Sequence, residues 1–342
     1  MATARPSSPP TPPHVLVVGG AGYIGSHMLK RLAHAGYELT TLDDLSGGHA
    51  EAVRWGALVE GNAGDAALLD RLFSRHRFAA VMHFASFIEV GASVTQPLRY
   101  YQNNLVHTLT LLQAMRTHGV ARLVFSSTAA TFGQPQYSPI DEAHPQQPIN
   151  PYGRSKLMVE QVLADYDRAY GLQSVSLRYF NAAGADPEGE LGERHLPETH
   201  LIPLVLQAAS GRRPHIAVYG RDYDTPDGTC IRDYIHVSDL CEAHWLALQS
   251  LCSGGPSQAY NLGNGLGFSV QEVIATAQRV TGRPIPVVEG PRRPGDPARL
   301  VADATLARQR LGWQPRYASL DTIVAHAWGW EQKMAALQVQ TA

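Results

Sequence analysis

The sequence predicts an α/β protein with a doubly wound parallel sheet and a smaller, interleaved α/β part. Three observations carry this. Short apolar runs alternate with helical patterns over the first half of the chain; a glycine-rich turn follows the first run directly; and after residue 182 the texture changes to long segments rich in Gly, Pro, Asp, Glu and His. Alternating strands and helices imply βαβ units with right-handed crossovers.

The first apolar run, His14 to Val18, is nearly continuous, as expected of a strand covered on both faces. Similar runs follow at Glu38 to Leu42, Ala79 to Phe84, Arg122 to Phe125 and Ser174 to Tyr179, with helical patterns at Gly25 to His34, Ala66 to His76, Pro97 to His118 and Ser155 to Ala169. Residues 1–13 hold five prolines and no apolar core, and read as a disordered tail. A nucleotide-binding part is expected over 14–182 with about 233–250, and a substrate-binding part over 183–232 and 251–335. Long loops within a compact chain are commonly functional.

Composition narrows the partners. A formal net charge of −2, without a Lys/Arg block, argues against nucleic acid or an anionic membrane. No apolar run approaches the roughly 20 residues that span a bilayer. Cys230, Cys241 and Cys252 lack C-x-x-C spacing and read as reduced thiols of a cytoplasmic protein, with no disulfide and no metal expected.

Gly19, Gly22 and Gly25 form a G-x-x-G-x-x-G array between the first strand and the first helix. Such glycines permit a tight turn, close approach of backbone to a pyrophosphate and close helix–strand packing, while the helix N-terminus offers free N–H groups. The second strand ends in Asp43-Asp44, and Asp43 lies 18 residues beyond Gly25. An acid there accepts from ribose hydroxyls and repels a 2′-phosphate, which favours NAD over NADP. The first half therefore reads as a Rossmann-like dinucleotide fold.

Tyr152 and Lys156 stand in i,i+4 relation at a helix start, so both side chains share one face. An ammonium beside a phenol favours the phenolate and brings the tyrosine towards general-base duty. The chain has 14 tyrosines but only three lysines among its 28 basic residues, so chance rarely places this pair. Upstream, Ser126-Ser127-Thr128 lies at a strand's C-terminal end, where open α/β sheets bind ligands. One of these hydroxyls is positioned to bridge Tyr152 and a substrate oxygen.

These segments together resemble the extended short-chain dehydrogenase/reductase superfamily and, within it, the UDP-glucose (UDP-galactose) 4-epimerase family. The resemblance runs from about His14 to Trp330. It is carried by GGAGYIGSH (19–27), FSSTAATFG (125–133), NPYGRSKLMVEQ (150–161), LRYFNAAGADPEGELGE (177–193), PDGTCIRDYIHVSDL (226–240), YNLGNG (260–265) and RRPGD (292–296). It implies Tyr152 as base, Lys156 as its partner and Thr128 in place of the usual serine. It implies NAD held by the glycine turn, Tyr23, Ile24, Asp43, Asp44, Asn62, Ala63, Phe84, Ala85, Asn103, Ser126 and Phe180, with Tyr152 and Lys156. The UDP-sugar falls to Thr128, Asn181, His200, Ala217, Val218, Tyr219, Arg232, Arg293, Asp296 and Leu300. Two arginines suit a diphosphate, since guanidinium makes bidentate bonds to phosphate.

The implied activity is reversible 4-epimerisation through a transient 4-keto sugar, in a cytoplasmic homodimer paired through the two long helices. Departures from the family's pattern are Asn62, where an aspartate is usual, Ile88-Glu89 in place of a Lys-Ala pair, and Leu300. Residue 300 gates N-acetylated sugars in the family, and leucine is intermediate between the bulky and the small gate. A 4,6-dehydratase needs an Asp-Glu pair after the strand-end Thr, where this chain has Ala129-Ala130. UDP-pentose or uronate epimerisation, and a catalytically silent NAD-sensing role, remain as alternatives; the Tyr/Lys pair weighs against the last.

Overall fold

The computed structural model describes residues 12–293 and 295–341, with side chains through 337. Most of the expected 1–13 tail lies outside the described residues. The first half contains β1 (His14–Val18), α1 (Tyr23–His34), β2 (Glu38–Asp43), β3 (Ala57–Glu60), α2 (Ala66–Arg75), β4 (Phe78–His83), α3 (Val90–Thr95), α4 (Pro97–Tyr101), α5 (His107–Thr117), β5 (Arg122–Thr128), α6 (Pro151–Tyr170) and β6 (Gln173–Tyr179). Then follow β7 (Asn181–Ala183), α7 (Leu201–Ser210), β8 (Ile216–Tyr219), β9 (Ile231–Arg232), β10 (Tyr234–His236), α8 (Val237–Cys252), β11 (Gln258–Leu262), β12 (Phe268–Ser269), α9 (Val270–Thr281), β13 (Val287–Gly290), β14 (Arg299–Leu300), α10 (Thr305–Leu311) and α11 (Leu320–Thr341).

Seven parallel strands form the main sheet in the order β11-β6-β5-β4-β1-β2-β3. The period-2 alternation of β1 explains its unbroken apolar sequence. Val15 and Val17 face one core, shared with Met28 and Leu32 of α1 and with Leu240 and Leu248 of α8. Leu16 and Val18 face the other, shared with Leu69 of α2, Leu111 of α5 and Val159 of α6. Both faces are thus dry, which parallel sheets require. A third core, around Val205, Val218, Ile274 and Ile323, holds the smaller part together.

The observed helices depart from the expected bounds in two informative places. The long helix expected over Pro97 to His118 is α4 and α5 joined by a π turn at Gln102–Val106. Such turns accommodate one extra residue in a helix and recur at functional sites; this one carries Asn103. Helix α6 begins four residues before the expected Ser155, at Pro151, because Asn150 caps it by accepting from Gly153 N at 2.8 Å.

The assignment of 251–335 to the substrate part needs correction. Strand β11 adds to the edge of the main sheet beside β6, and Trp313 is fully buried in that sheet's core. The chain therefore returns to the nucleotide half after leaving it, and β11 becomes the edge strand of the main sheet.

The chain runs from β1 outward to β3, then crosses back to β4 on the other side of β1. This reversal opens a crevice at the strand ends. Gly19, at φ +84°, turns there so closely that an added Cβ would collide with the backbone of Phe84 and Ala85. Gly19→Ala is expected to cost about 1–3 kcal/mol through overpacking and a left-handed backbone. Urea unfolding with and without NAD measures it, and an unchanged midpoint would contradict the close approach.

Candidate active site

Helix α6 and strand β5 bring the reactive side chains together. Residue 153 must be glycine for this, since a Cβ there would strike Ala130 O. The first turn of α6 therefore rests on the turn after β5. Tyr152 and Thr128 are each 7% exposed and Lys156 3%. The Thr128 hydroxyl accepts from Ala130 N at 3.1 Å, and it neighbours the Tyr152 side chain. Lys156 Nζ donates to Ser126 O at 2.9 Å and lies 4.8 Å above the Phe125 ring. Ser126 Oγ is 3.0 Å from Tyr179 OH, whereas Ser127 points away and donates to Glu160 at 2.5 Å. Of the three strand-end hydroxyls, Thr128 is the one that meets the tyrosine.

The electrostatics differ from the expectation that an ammonium beside the phenol lowers its pKa. Burial pushes Tyr152 well above its usual value, and the Thr128 hydroxyl only partly offsets it. Burial also lowers Lys156 to about 7, with Glu160 opposing. Desolvation dominates at both side chains because they are buried together at the end of the sheet.

The glycine crevice continues this site. Gly22 precedes α1 without a side-chain cap, which leaves the helix's first N–H groups open. Asp43, 8% exposed, accepts from Ala21 N and Leu45 N, both at 2.9 Å, and so ties the turn to the end of β2. Each carboxylate oxygen keeps a second lone pair. Burial raises the Asp43 carboxyl somewhat, against these hydrogen bonds. Asn62 Nδ2 donates to Asp44 at 2.7 Å and its Oδ1 accepts from Gly64 N at 2.7 Å; Ala63 beside it is buried. Tyr23 OH donates to Gly184 O at 2.7 Å, and Ile24 packs on the core. Phe84 N and Ala85 N both donate to Val18 O, at 2.7 and 3.0 Å, which fixes the opposite wall. Asn103 Nδ2 donates to Asn104 Oδ1 at 3.0 Å. A turn walled by backbone, with an acid beyond it, suits a dinucleotide, and Gly19, Gly20 and Gly25 have no room for a Cβ.

A cleft of about 240 Å³ lies among β7, the start of α7, β8 and β9. Asn181, His200, Ala217, Tyr219, Arg232, Arg293 and Asp296 all line it. Arg232 pairs with Asp296, and the Arg293 guanidinium stacks 4.1 Å over the Tyr219 ring. Asn181 Nδ2 is held by Asp233 O at 2.9 Å. Two expected residues are placed otherwise. Val218 alternates with Ala217 and Tyr219 on β8, so its side chain enters the third core and only its backbone remains for a ligand. Leu300 joins Ala129, Phe132, Ile140 and Phe180 in a small apolar cluster after β5, away from the cleft lining. Arg292 pairs with Asp222 on the surface, which leaves Arg293 as the arginine of this loop that lines the cleft.

Some site residues went unread in the sequence. Tyr179 ends an apolar strand, which its sequence position alone did not single out; Glu160 has nothing local to mark it, though Arg178 and Ser127 both bond to it. His200 sits 2.7 Å from Glu193 and 3.0 Å from Glu198. Burial lowers its pKa, but the two carboxylates more than reverse this and raise it to about 10.

A doubly wound sheet with a glycine trench at its switch point, beside a buried Tyr/Lys pair, defines a dinucleotide-dependent enzyme class. The family model described as "NAD dependent epimerase/dehydratase family" matches residues 15–263, and the chain belongs to that family. It is 53% identical to a UDP-glucose 4-epimerase of Halalkalibacterium halodurans over 93% of this chain and 96% of that one. The solved UDP-glucose 4-epimerase of Brucella ovis in complex with NAD superposes with a TM-score of 0.91 at 52% identity, covering 92% and 97% of the two chains. That of Bifidobacterium longum, in complex with NAD+ and UDP, superposes with a TM-score of 0.89 at 40% identity, covering 94% and 98%. Among the described residues no helix is long and apolar enough to cross a membrane.

The displaced Lys156 value has a measurable consequence. The amine is neutral above about pH 7 when folded, yet stays protonated to its ordinary value of 10.5 when unfolded. The unfolded chain then binds more protons, so stability rises with pH through this window. In cofactor-free protein, the unfolding free energy of wild type relative to Lys156→Met should climb from pH 7 to pH 10. A flat difference would show that the amine stays charged in the folded site.

Proposed function

We propose that this protein interconverts UDP-glucose and UDP-galactose by reversible 4-epimerisation. The reading rests above all on the buried Tyr152 beside Thr128 at the end of β5, in a chain that also carries the glycine turn and a cleft lined by two arginines. The chemistry that bound NAD supplies is a reversible two-electron oxidation at sugar C4. Tyr152 takes the proton from the 4-hydroxyl, and Thr128 holds the same oxygen through its hydroxyl. Lys156, one turn further along α6, is the group on that face that stabilises the phenolate when it carries charge. Arg232 and Arg293 grip the diphosphate, and Asn181, His200, Ala217 and Tyr219 line the nucleotide's end of the cleft. The UDP is thereby the fixed handle, while the 4-keto sugar turns to present its other face. Tyr152 then returns the proton to O4. Burial of the whole constellation excludes water from the ketone.

Ala129 and Ala130 offer no acid or base next to Thr128, which disfavours dehydration. A second reading takes UDP-N-acetylglucosamine as an additional substrate. It turns on Leu300, packed beside Phe180, whose side chain is intermediate between the family's bulky and small gates, so an assay with the N-acetylated pair decides it. Pure protein given UDP-galactose and NAD should form UDP-glucose, and Tyr152→Phe should lower kcat about 10²–10⁴-fold, as for loss of a general base. Failure to interconvert either the plain or the N-acetylated pair would sink the epimerase reading. A full rate in Tyr152→Phe would remove the tyrosine from its role.

The protein is further read as a cytoplasmic homodimer. Its three thiols are unpaired, in keeping with a reducing compartment. Val94, Leu98 and Val106, 62%, 77% and 41% exposed, lie along the α3–α5 region with Met158 of α6, an apolar surface suited to pairing. Light scattering at micromolar concentration should give twice the chain mass, and Leu98→Asp should shift it towards the monomer. A monomeric wild type would refute the dimer.

A further inference from the structure

We propose that Glu193, His195, Glu198 and His200 form a divalent-cation site of the zinc class, at the seam between the glycine turn and the nucleotide-sugar cleft. One eight-residue segment supplies four donor atoms that all lie within 4.8 Å of one another. His200 Nδ1 is 2.7 Å from Glu193 and 3.0 Å from Glu198, while His195 Nδ1 is 3.2 Å from Glu193 and 3.6 Å from Glu198. Tetrahedral bonds of about 2.0–2.1 Å place donors roughly 3.3 Å apart, and these separations bracket that edge. A small adjustment of the side chains would admit the cation.

Two further observations set this group apart from an ordinary surface ion pair. The Glu193 and Glu198 side chains are only 6% and 7% exposed. Two carboxylates sharing so dry a place need positive charge beside them, which the two imidazoles or a bound cation can supply. In addition, His195 Nδ1 is buried without a hydrogen bond of acceptable geometry, although it faces both carboxylates. An atom aimed into the cluster and held only at ion-pair distance from both carboxylates is in the position of a ligand.

The surroundings hold the donors in place. Trp330 Nε1 donates to Glu193 O at 3.0 Å, and His49 Nε2 lies 3.2 Å from Arg194 O. Glu198 Oε1 accepts from Thr199 N and His200 N at 2.8 and 2.9 Å, leaving Oε2 for a metal. Outer contacts of this kind orient metal ligands. Two imidazoles with two carboxylates suit Zn²⁺ rather than Mg²⁺ or Ca²⁺, which prefer oxygen throughout.

The position gives the site a role. The His195 ring meets the Tyr23 ring of the glycine turn edge-on at 6.4 Å, and His200 lines the cleft at the start of α7. A cation there would lock one wall of the cofactor trench to one wall of the sugar-nucleotide cleft. It would act on shape and rigidity, with no part in the proton transfer at Tyr152.

Full-length protein stripped with EDTA and returned to neutral buffer can be titrated with ZnSO₄ by calorimetry, with zinc per chain measured after desalting. One zinc per chain is expected, with a raised thermal midpoint. His195→Ala should weaken binding about tenfold or more and lose the thermal gain. Glu198→Gln, close to isosteric, should do the same and serves if His195→Ala folds poorly. No zinc uptake, or equal uptake by wild type and both variants, would overturn the site and leave the cluster as a knot of imidazolium–carboxylate pairs.

Discussion

The first turn of α6 can lie against the end of β5 only because residue 153 carries no side chain, and the reactive geometry follows from that contact. It sets the Tyr152 hydroxyl against Thr128 and carries Lys156 down to the carbonyl of Ser126. It also closes the space around them, and closure determines the charges. An amine held near neutrality and a phenol held protonated are what two buried groups adopt before any charged partner joins them. The site therefore stores its capacity for proton transfer as desolvation, released when a bound cation or a developing oxyanion changes the local field.

Around this contact the two ligand regions are built on different principles. The cofactor trench is made of backbone: a left-handed glycine, an uncapped helix start and an aspartate that braces the turn. It is rigid because its walls share hydrogen bonds with the sheet. The cleft is made of long side chains whose charges already have partners, Arg232 on Asp296 and Arg293 on Tyr219. A diphosphate entering there meets Arg232 already shielded by Asp296, whereas the exposed Arg293 gives up water to bind it. That arrangement suits a handle that must be gripped while the sugar beside it turns.

The site was legible in the sequence wherever function depends on local spacing. The glycine array, Asp43 and the Tyr152/Lys156 pair each sit within one turn or one βαβ unit, where period and offset fix who faces whom. Legibility failed where partners are distant. Glu160 and Arg178 meet across α6 and β6, and Tyr179 meets Ser126 across neighbouring strands. Val218 shows the same limit from the other side: three consecutive residues look alike along the chain, but a strand shows only alternate ones to the cleft.

The sequence by itself determined the doubly wound architecture, the dinucleotide trench and the i,i+4 pair, because these follow from hydrophobic period, glycine sterics and helix geometry. The tertiary structure decided which of three adjacent hydroxyls meets Tyr152, and that Leu300 packs with Phe180 away from the cleft lining. It decided that β11 returns to the first sheet, and that burial governs the protonation of Tyr152 and Lys156. It also folded residues 193–200 so that four donors converge. These outcomes depend on how closely separate elements approach and how much water they exclude, and neither quantity is written in any single stretch of chain.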